Sequence, residues 1–327
     1  METSCRPHLF TKLPTSRRRL LLGGAAMAVA GAISSKPALA QTPKTMRVGV
    51  HKGVVFVPSL LLESLLAPTW KVELSYFVSP ADMANAISAR SIDVGYTGVT
   101  IASIARSKGQ PIVIVASAAG KGTAIIVGAN TSIQKVEDLK GKNIGQVVGG
   151  IQDVQLREEL RMVGLSIKDV KPIAIPFADL PSALQSGSID AFCGGEPAST
   201  LTIENGYGRL LKHPYDTPIG TINAAILARE STVHDNPDLL RTFVNAHRDA
   251  VTRLRHNLDE AATLANKKWD FQQAVARKAL ENVELRWAID ETFMSGLTHY
   301  MARLKELGMI GEVPDINKLV IRDFAKA

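Results

Sequence analysis

The sequence predicts a two-lobed α/β protein, each lobe built on a mostly parallel sheet flanked by helices, and three observations lead to that prediction. Short apolar runs alternate with amphipathic stretches from Met46 to Glu204, the rhythm of repeated strand and helix units. A helix, turn and strand pattern occurs twice at a constant offset of 97 residues. From Ser231 onward the chain changes to long helical patterns with little strand signal.

Taken in order, the first strand is expected at Met46 to Val50, followed by a helix from about Val57 to Leu66 and a strand at Val72 to Tyr76. A helix near Ala81 to Ala89, a strand ending at Tyr96, a helix opening at Gly98 or Val99 and an apolar run from Ile112 to Ala116 continue the series. A second set follows Thr123. Its strands are expected near Asn143 to Gln146, Ile173 to Ile175 and Ala191 to Cys193, and its helices near Gln152 to Met162, Leu180 to Ser186 and Ala198 to Glu204. The closing helices fall at Asp238 to His256, Leu258 to Lys268, Asp270 to Asn282 and Asp290 to Leu307. In the internal repeat, Ala86, Ser91, Ile92, Asp93 and Gly98 recur as Ala183, Ser188, Ile189, Asp190 and Gly195. Two similar lobes account for it. Each repeated Asp braces the turn into its strand, whereas each glycine stands where a strand ends and a helix begins, the position at which open α/β sheets bind ligands.

The composition, 46% hydrophobic, 21% charged and 5% aromatic over 327 residues, is that of a globular protein and excludes a disordered or fibrous chain. Of the formal charge of +7, the first 40 residues supply most, with six Lys or Arg against one Glu, leaving +2 for the rest. Such a nearly balanced surface has no charge-driven attraction to nucleic acid or to an anionic membrane. The basic segment itself, Thr15-Ser16-Arg17-Arg18-Arg19-Leu20-Leu21-Leu22, resembles a twin-arginine export motif. A Gly/Ala-rich apolar stretch runs on to about Ser34, Lys36 follows it, and Ala38-Leu39-Ala40 forms a small-x-small cleavage site. Residues 1–40 are therefore read as a cleaved signal peptide, with a mature periplasmic chain beginning at Gln41. The apolar stretch, interrupted by Gly23, Gly24 and Gly31, is shorter than the ~20 residues that span a bilayer. Cys5 precedes that stretch and is not placed for lipid anchoring, which leaves Cys193 as the single cysteine of the mature chain.

The residues from about Met46 to His256 resemble the periplasmic substrate-binding proteins of ABC importers, in particular the nitrate, sulfonate and taurine group. The resemblance rests on Asp93-Val94-Gly95-Tyr96-Thr97-Gly98, Gly109-Gln110-Pro111-Ile112-Val113-Ile114-Val115-Ala116 and Val136-Glu137-Asp138-Leu139-Lys140-Gly141-Lys142-Asn143-Ile144-Gly145. Ala191-Phe192-Cys193-Gly194-Gly195-Glu196-Pro197 and Asn236-Pro237-Asp238-Leu239-Leu240 complete it. It implies a bilobed fold with a two-strand hinge, the chain crossing to lobe two near Thr123 to Val127 and returning near Asn223 to Ala228. Lobe one is then residues 41–122 and 225–327, with the C-terminal helices packing on it, and lobe two is residues 123–224. The implied partners are a small anionic ligand and an inner-membrane permease, with the binding protein a monomer. Aliphatic sulfonates including taurine lead the ligands; nitrate, aromatic carboxylates or sulfonates, and pyrimidines follow.

Candidate ligand-binding residues lie at the predicted strand ends. His51 and Lys52 follow the first strand, where a cation and free backbone N–H groups suit an anion; a solvated surface loop is the competing reading. Thr97, Gly98 and Val99 open a helix whose N-terminus carries partial positive charge. Tyr96 either walls the pocket or packs, and Ser117 offers a hydroxyl or caps a turn. Gly149 and Gly150 precede the helix that holds Gln152, so lobe two presents a helix N-terminus of its own. Glu196 has two readings, a cleft carboxylate for an amine or hydroxyl, or a helix cap beside Pro197.

Dinucleotide, phosphate-loop, zinc-protease and serine-hydrolase motifs are missing, and the seven histidines are scattered. Neither catalysis, a cofactor nor a metal is expected, and Cys193 in an apolar strand reads as a buried thiol. The rival readings are a ligand-sensing protein that serves a membrane sensor, an enzyme on the same bilobed fold, and a twin-arginine-exported enzyme with a cofactor.

Overall fold

The structure is a computed structural model that describes residues 43–326. The twin-arginine segment, the apolar stretch, Cys5 and the Ala38-Leu39-Ala40 site lie outside them. Along the first third run β1 (Lys44–Val50), a 3-10 segment (Val54–Leu61) leading into α1 (Leu62–Leu66), β2 (Trp70–Tyr76), α2 (Pro80–Ser88), β3 (Val94–Gly98), α3 (Val99–Ser107) and β4 (Ile112–Lys121). There follow β5 (Thr123–Gly128), β6 (Asn143–Gln146), α4 (Ile151–Met162), β7 (Lys171–Ala174), α5 (Leu180–Gln185), β8 (Ala191–Gly195), α6 (Ala198–Glu204) and β9 (Gly208–Lys212). The last third holds β10 (Ile222–Arg229), α7 (Glu230–Asp235), α8 (Pro237–Arg255), α9 (Leu258–Trp269), α10 (Gln273–Glu281), β11 (Val283–Leu285), α11 (Glu291–Glu306) and α12 (Ile316–Leu319).

Local chemistry sets many of these boundaries. Ser79 caps α2 through the Asp82 N–H with Pro80 in its first turn, and Asn236, Asn257 and Asp290 cap α8, α9 and α11 in the same way. The helix expected from Val57 to Leu66 is instead split. Pro58 lies within an apolar run that is buried on all sides, so the run winds as a 3-10 segment before the short α1.

Two α/β lobes flanked by helices form as expected. The first sheet has the order β11-β4-β10-β3-β1-β2 and the second β7-β6-β8-β5-β9. Both are mixed where the sequence predicts mostly parallel sheets. Strands β2, β1 and β3 run parallel, as do β7, β6 and β8. The return strand β10 pairs antiparallel with β3 and β4, and β5 pairs antiparallel with β8 and β9. Helical crossovers keep neighbouring strands parallel, and β5 and β10 each arrive from the other sheet with no crossover helix to turn them. The C-terminal block also contributes β11 to the first sheet, three residues paired with Lys121 to Ala119.

The repeat is visible in space. The Asp93 carboxylate accepts from the Arg47 N–H at 2.8 Å, and the Asp190 carboxylate accepts from the Asn143 N–H at 2.8 Å. Each acid thus ties the start of its strand to the neighbouring parallel strand.

The core of the first lobe continues into the C-terminal helices, where Leu240, Phe243, His247, Val251 and Leu254 of α8 are buried along one face. The second sheet has a separate apolar cluster on each face. Helix α4 spans both lobes, since Ile151 and Val154 join the first core whereas Leu156 and Leu160 join the second. Farther along α4, the fully buried Glu158 accepts from Arg303 of α11 at 2.8 and 3.1 Å and from Arg161 at 2.8 Å.

The chain crosses between the sheets from β4 to β5 and from β9 to β10. At the first crossing Lys121 and Gly122 are both left-handed, with φ of 57° and 77°, and a Cβ on Gly122 would press on Val55 and Val283 at about 3.0 and 3.1 Å. Side chains from the second crossing hold the first: the Tyr215 hydroxyl donates to the Thr123 carbonyl at 2.8 Å and accepts from the Thr123 N–H at 2.9 Å.

Candidate functional site

Parallel strands β1, β2 and β3 all end at the same edge of their sheet, as do β6, β7 and β8 of the other, and these two edges border one cavity of about 290 Å³. From lobe one come His51 and Lys52 after β1, Tyr76 and Phe77 at the end of β2, and Thr97 and Gly98 at the end of β3. From lobe two come Gly150 and Gln152 after β6, Pro176 and Phe177 after β7, and Gly195 and Glu196 at the end of β8. The sheets expose their strand ends, so the topology alone gathers these residues.

Two helix N-termini open at the cavity. Gly98 precedes α3 and Gly150 precedes α4, each in extended conformation and without a side-chain cap. Amides at such ends carry partial positive charge and suit an anion, worth about 0.3–1 kcal/mol and up to ~2 when partly buried. Asp153 in the first turn of α4 does not cancel this. Its carboxylate binds Arg157 at 2.6 Å, Gln146 and the Gly149 N–H.

His51 is fixed by two contacts, Nδ1 to the Phe77 carbonyl at 2.8 Å and Nε2 to the Thr97 hydroxyl at 3.2 Å. A carbonyl can only accept, so Nδ1 carries the proton, and in the neutral ring Nε2 accepts from Thr97. Burial pushes the pKa of His51 below the usual imidazole range, against the opposing hydrogen bond to Phe77. Lys52 is exposed, with its ammonium 5.6 Å from the centroid of the Tyr76 ring. Glu196 is buried and both its oxygens are engaged, one accepting from Asn282 Nδ2 at 2.8 Å and the other from the Thr200 N–H at 3.1 Å. Burial raises its pKa above the ordinary carboxylate value, a shift those hydrogen bonds moderate. A Cβ at Gly195 would meet Gln152 Nε2 at 2.9 Å and the Phe177 ring at 3.1 Å, so a side chain there would push on two cavity residues.

Of the sequence-predicted residues, the cavity wall gathers His51, Lys52, Thr97, Gly98, Gly150, Gln152 and Glu196. It does not include Tyr96, Val99, Ser117 or Gly149. Tyr96 is fully buried and donates to Nδ1 of His247 at 2.9 Å, and Nε2 of His247 in turn donates to the Ser117 carbonyl at 3.0 Å. Burial pulls the pKa of His247 down to about 4, so this link is uncharged. Alternation along β3 sends Tyr96 to the face that α8 covers and leaves Thr97 facing His51. Val99 is buried in the core, and Ser117 lies inside β4, opposite Ala225 of β10. Gly149 is a left-handed turn residue, φ 76°, that donates to Asp153.

Phe56, Tyr76, Phe77 and Phe177 were not among the expected wall residues. Applying the strand-end rule to β2 and β7 as well as to β1, β3 and β6 finds three of them. Cys193 is buried in β8, and burial pushes its thiol pKa up, away from the thiolate a nucleophile needs.

Comparisons with known proteins agree with this fold. Residues 71–261 match the family described as NMT1/THI5 like. The chain is 30% identical over 239 residues, 69% of its own length and 74% of the relative's, to a putative aliphatic sulfonates-binding protein of Escherichia coli (strain K12). Among solved structures, the alkanesulfonate-binding protein of Xanthomonas axonopodis pv. citri, bound to MOPS, superposes with a TM-score of 0.76 at 20% identity, over 86% of this chain and 100% of that one. The periplasmic aliphatic sulphonate binding protein of Escherichia coli gives 0.71 at 24% identity, over 87% and 94%. These structural likenesses establish a shared fold.

Proposed function

The chain belongs to the NMT1/THI5-like family, and from that premise we propose that it is an extracytoplasmic solute-binding protein that captures a small sulfonate-like anion for uptake by an ABC transporter. One observation carries this reading. Two uncapped helix N-termini, α3 from one lobe and α4 from the other, open on the same interlobe cavity. An anion held between them is favoured by both dipoles only while the lobes are together, which couples binding to closure. The name of the Escherichia coli relative, a putative aliphatic sulfonates-binding protein, points to the same chemistry.

The remaining parts follow from this role. Residues 123–224 form the lobe that moves against 41–122 and 225–327, and the two crossings, stitched at Thr123 by Tyr215, act as the hinge. The closed form is what a membrane permease reads. Export through the twin-arginine-type segment, with cleavage after Ala40, delivers a monomer to the periplasm. Binding and release require no covalent step, so the protein works without catalysis.

The test is calorimetric titration of the chain beginning at Gln41, unfolded and refolded beforehand to remove co-purified solute. Ethanesulfonate is expected to saturate it at micromolar concentration, about −8 kcal/mol. The same response to ethanol, which lacks the anion, would refute the reading.

A further inference from the structure

We propose that the cleft selects a monoanion with a bulky apolar body, best a planar aromatic one, over small hydrophilic anions and zwitterions, with Phe177 as a specificity-determining residue. This inference rests on the solute-binding reading and refines the class of solute.

The wall of the cavity is predominantly apolar on both lobes. Phe56, Tyr76 and Phe77 face it from lobe one, and Val147, Pro176 and Phe177 from lobe two. The apolar surface continues outward, where Tyr76 is 46% exposed and Val78 86%. Exposed large apolar side chains scattered singly need no explanation, but Tyr76 and Val78 are themselves cavity residues. The space matters too. A cavity of about 290 Å³ has room for several waters. A nitrate or a two-carbon sulfonate displaces few of these waters, and the rest stay ordered against aromatic rings they cannot hydrogen-bond. A ligand with an apolar body expels them and covers the rings.

Charge narrows the class further. Lys52 is the one Lys or Arg on the described wall, and its ammonium sits over the Tyr76 ring at the mouth. The acid on that wall, Glu196, has one oxygen on Asn282 and the other on the Thr200 N–H. Lys52 and two helix N-termini match a negative head group, whereas the ammonium of a zwitterion such as taurine meets on that wall only Glu196, which already accepts from Asn282 and the Thr200 N–H. The head group is therefore held at Gly98 and Gly150, and the body extends between the Tyr76–Phe77 strand end and Phe177.

The experiment is a calorimetric series on the purified protein with methane-, ethane-, butane-, hexane-, benzene- and naphthalenesulfonate, together with taurine and nitrate. Affinity is expected to rise about four-fold per added methylene until the cavity is filled, the fold-change equivalent of ~0.8 kcal/mol. Benzenesulfonate is expected to bind at least a hundred-fold more tightly than methanesulfonate, and taurine at least ten-fold more weakly than ethanesulfonate. Phe177→Ala should lower benzenesulfonate affinity about ten-fold more than it lowers methanesulfonate affinity. The wild-type series stands even if that variant does not fold. Equal affinities along the alkyl series, or taurine binding as well as ethanesulfonate, would overturn this inference and leave the sulfonate-binding reading intact. Failure of every anion in the series to bind would overturn both.

Discussion

His51 and Thr97 predict that anion binding draws in a proton. In the neutral state Nδ1–H of His51 donates to the Phe77 carbonyl and Nε2 accepts the Thr97 hydroxyl proton, which leaves Thr97 only lone pairs to show the cavity. An anion meeting those lone pairs is repelled. Protonation at Nε2 reverses the Thr97 contact, frees the hydroxyl proton to donate to the anion and adds a positive charge beside it. Burial keeps the pKa of His51 below the usual value of 6.5, so the ring is neutral in the empty site at pH 7, and a bound anion pulls that pKa upward. With one proton linked, affinity for a sulfonate, which keeps its charge throughout, should rise as pH falls from about 8 to about 5, by up to ten-fold per unit in the linked range. A charge-assisted hydrogen bond of about 1.5–3 kcal/mol sets the scale of the gain, ten- to a hundred-fold in all. Glu196 also faces the cavity and its raised pKa would change binding in the same direction, so the series needs Glu196→Gln as background; Lys52 is the other charged group on that wall. The assay is calorimetry across pH in two buffers of different ionisation enthalpy, which counts protons directly. Affinity that does not change with pH, or a proton uptake that survives in His51→Gln, would refute the reasoning.

Other consequences can be checked alongside. Glu196→Gln should change taurine and ethanesulfonate affinities by the same factor, since the carboxylate is already held by Asn282 and Thr200; a selective ten-fold loss for taurine in calorimetry would show an ammonium partner instead. Stability should shift by no more than about 1 kcal/mol, because a lost hydrogen bond is set against relief of a buried charge. Arg303→Met leaves buried Glu158 with Arg161 alone, a cost on the order of 1–3 kcal/mol that falls on the contact between α11 and α4. It should weaken ligand binding about five-fold or more and enlarge the scattering radius of the free protein; unchanged affinity would mean that this pair does not hold the lobes. Burial works to raise the Glu158 pKa, but Arg161 and Arg303 outweigh it and the net shift is downward from 4.5. Its contribution to stability is thus complete above that value and is lost as pH falls through the lower folded pKa, a loss that denaturant titration of Glu158→Gln against wild type should isolate.

Much of the fold is legible in sequence because parallel strands with helical crossovers write a regular rhythm, and because Asp93 and Asp190 mark equivalent strand starts. The reversal of β5 and β10 is not, since strand direction depends on which sheet receives the strand. Three-residue β11 is too short to show a period. The same division runs through the site. His51, Gly98 and Gly150 follow strand ends and can be read as cavity residues from position alone. Tyr96 and Ser117 cannot, because whether a buried strand residue faces a cavity or a helix is decided by α8 and β10, far away in the chain. Glu196 shows it most clearly, with Asn282 lying 86 residues away and deciding what the carboxylate can do.

The most direct measurement of the central claim is a crystal structure with benzenesulfonate bound. Sulfonate oxygens are expected within hydrogen-bond distance of amides in the first turns of both α3 and α4, with the ring against Phe177. A sulfonate seated outside the cleft, or held by one lobe alone, would contradict that claim.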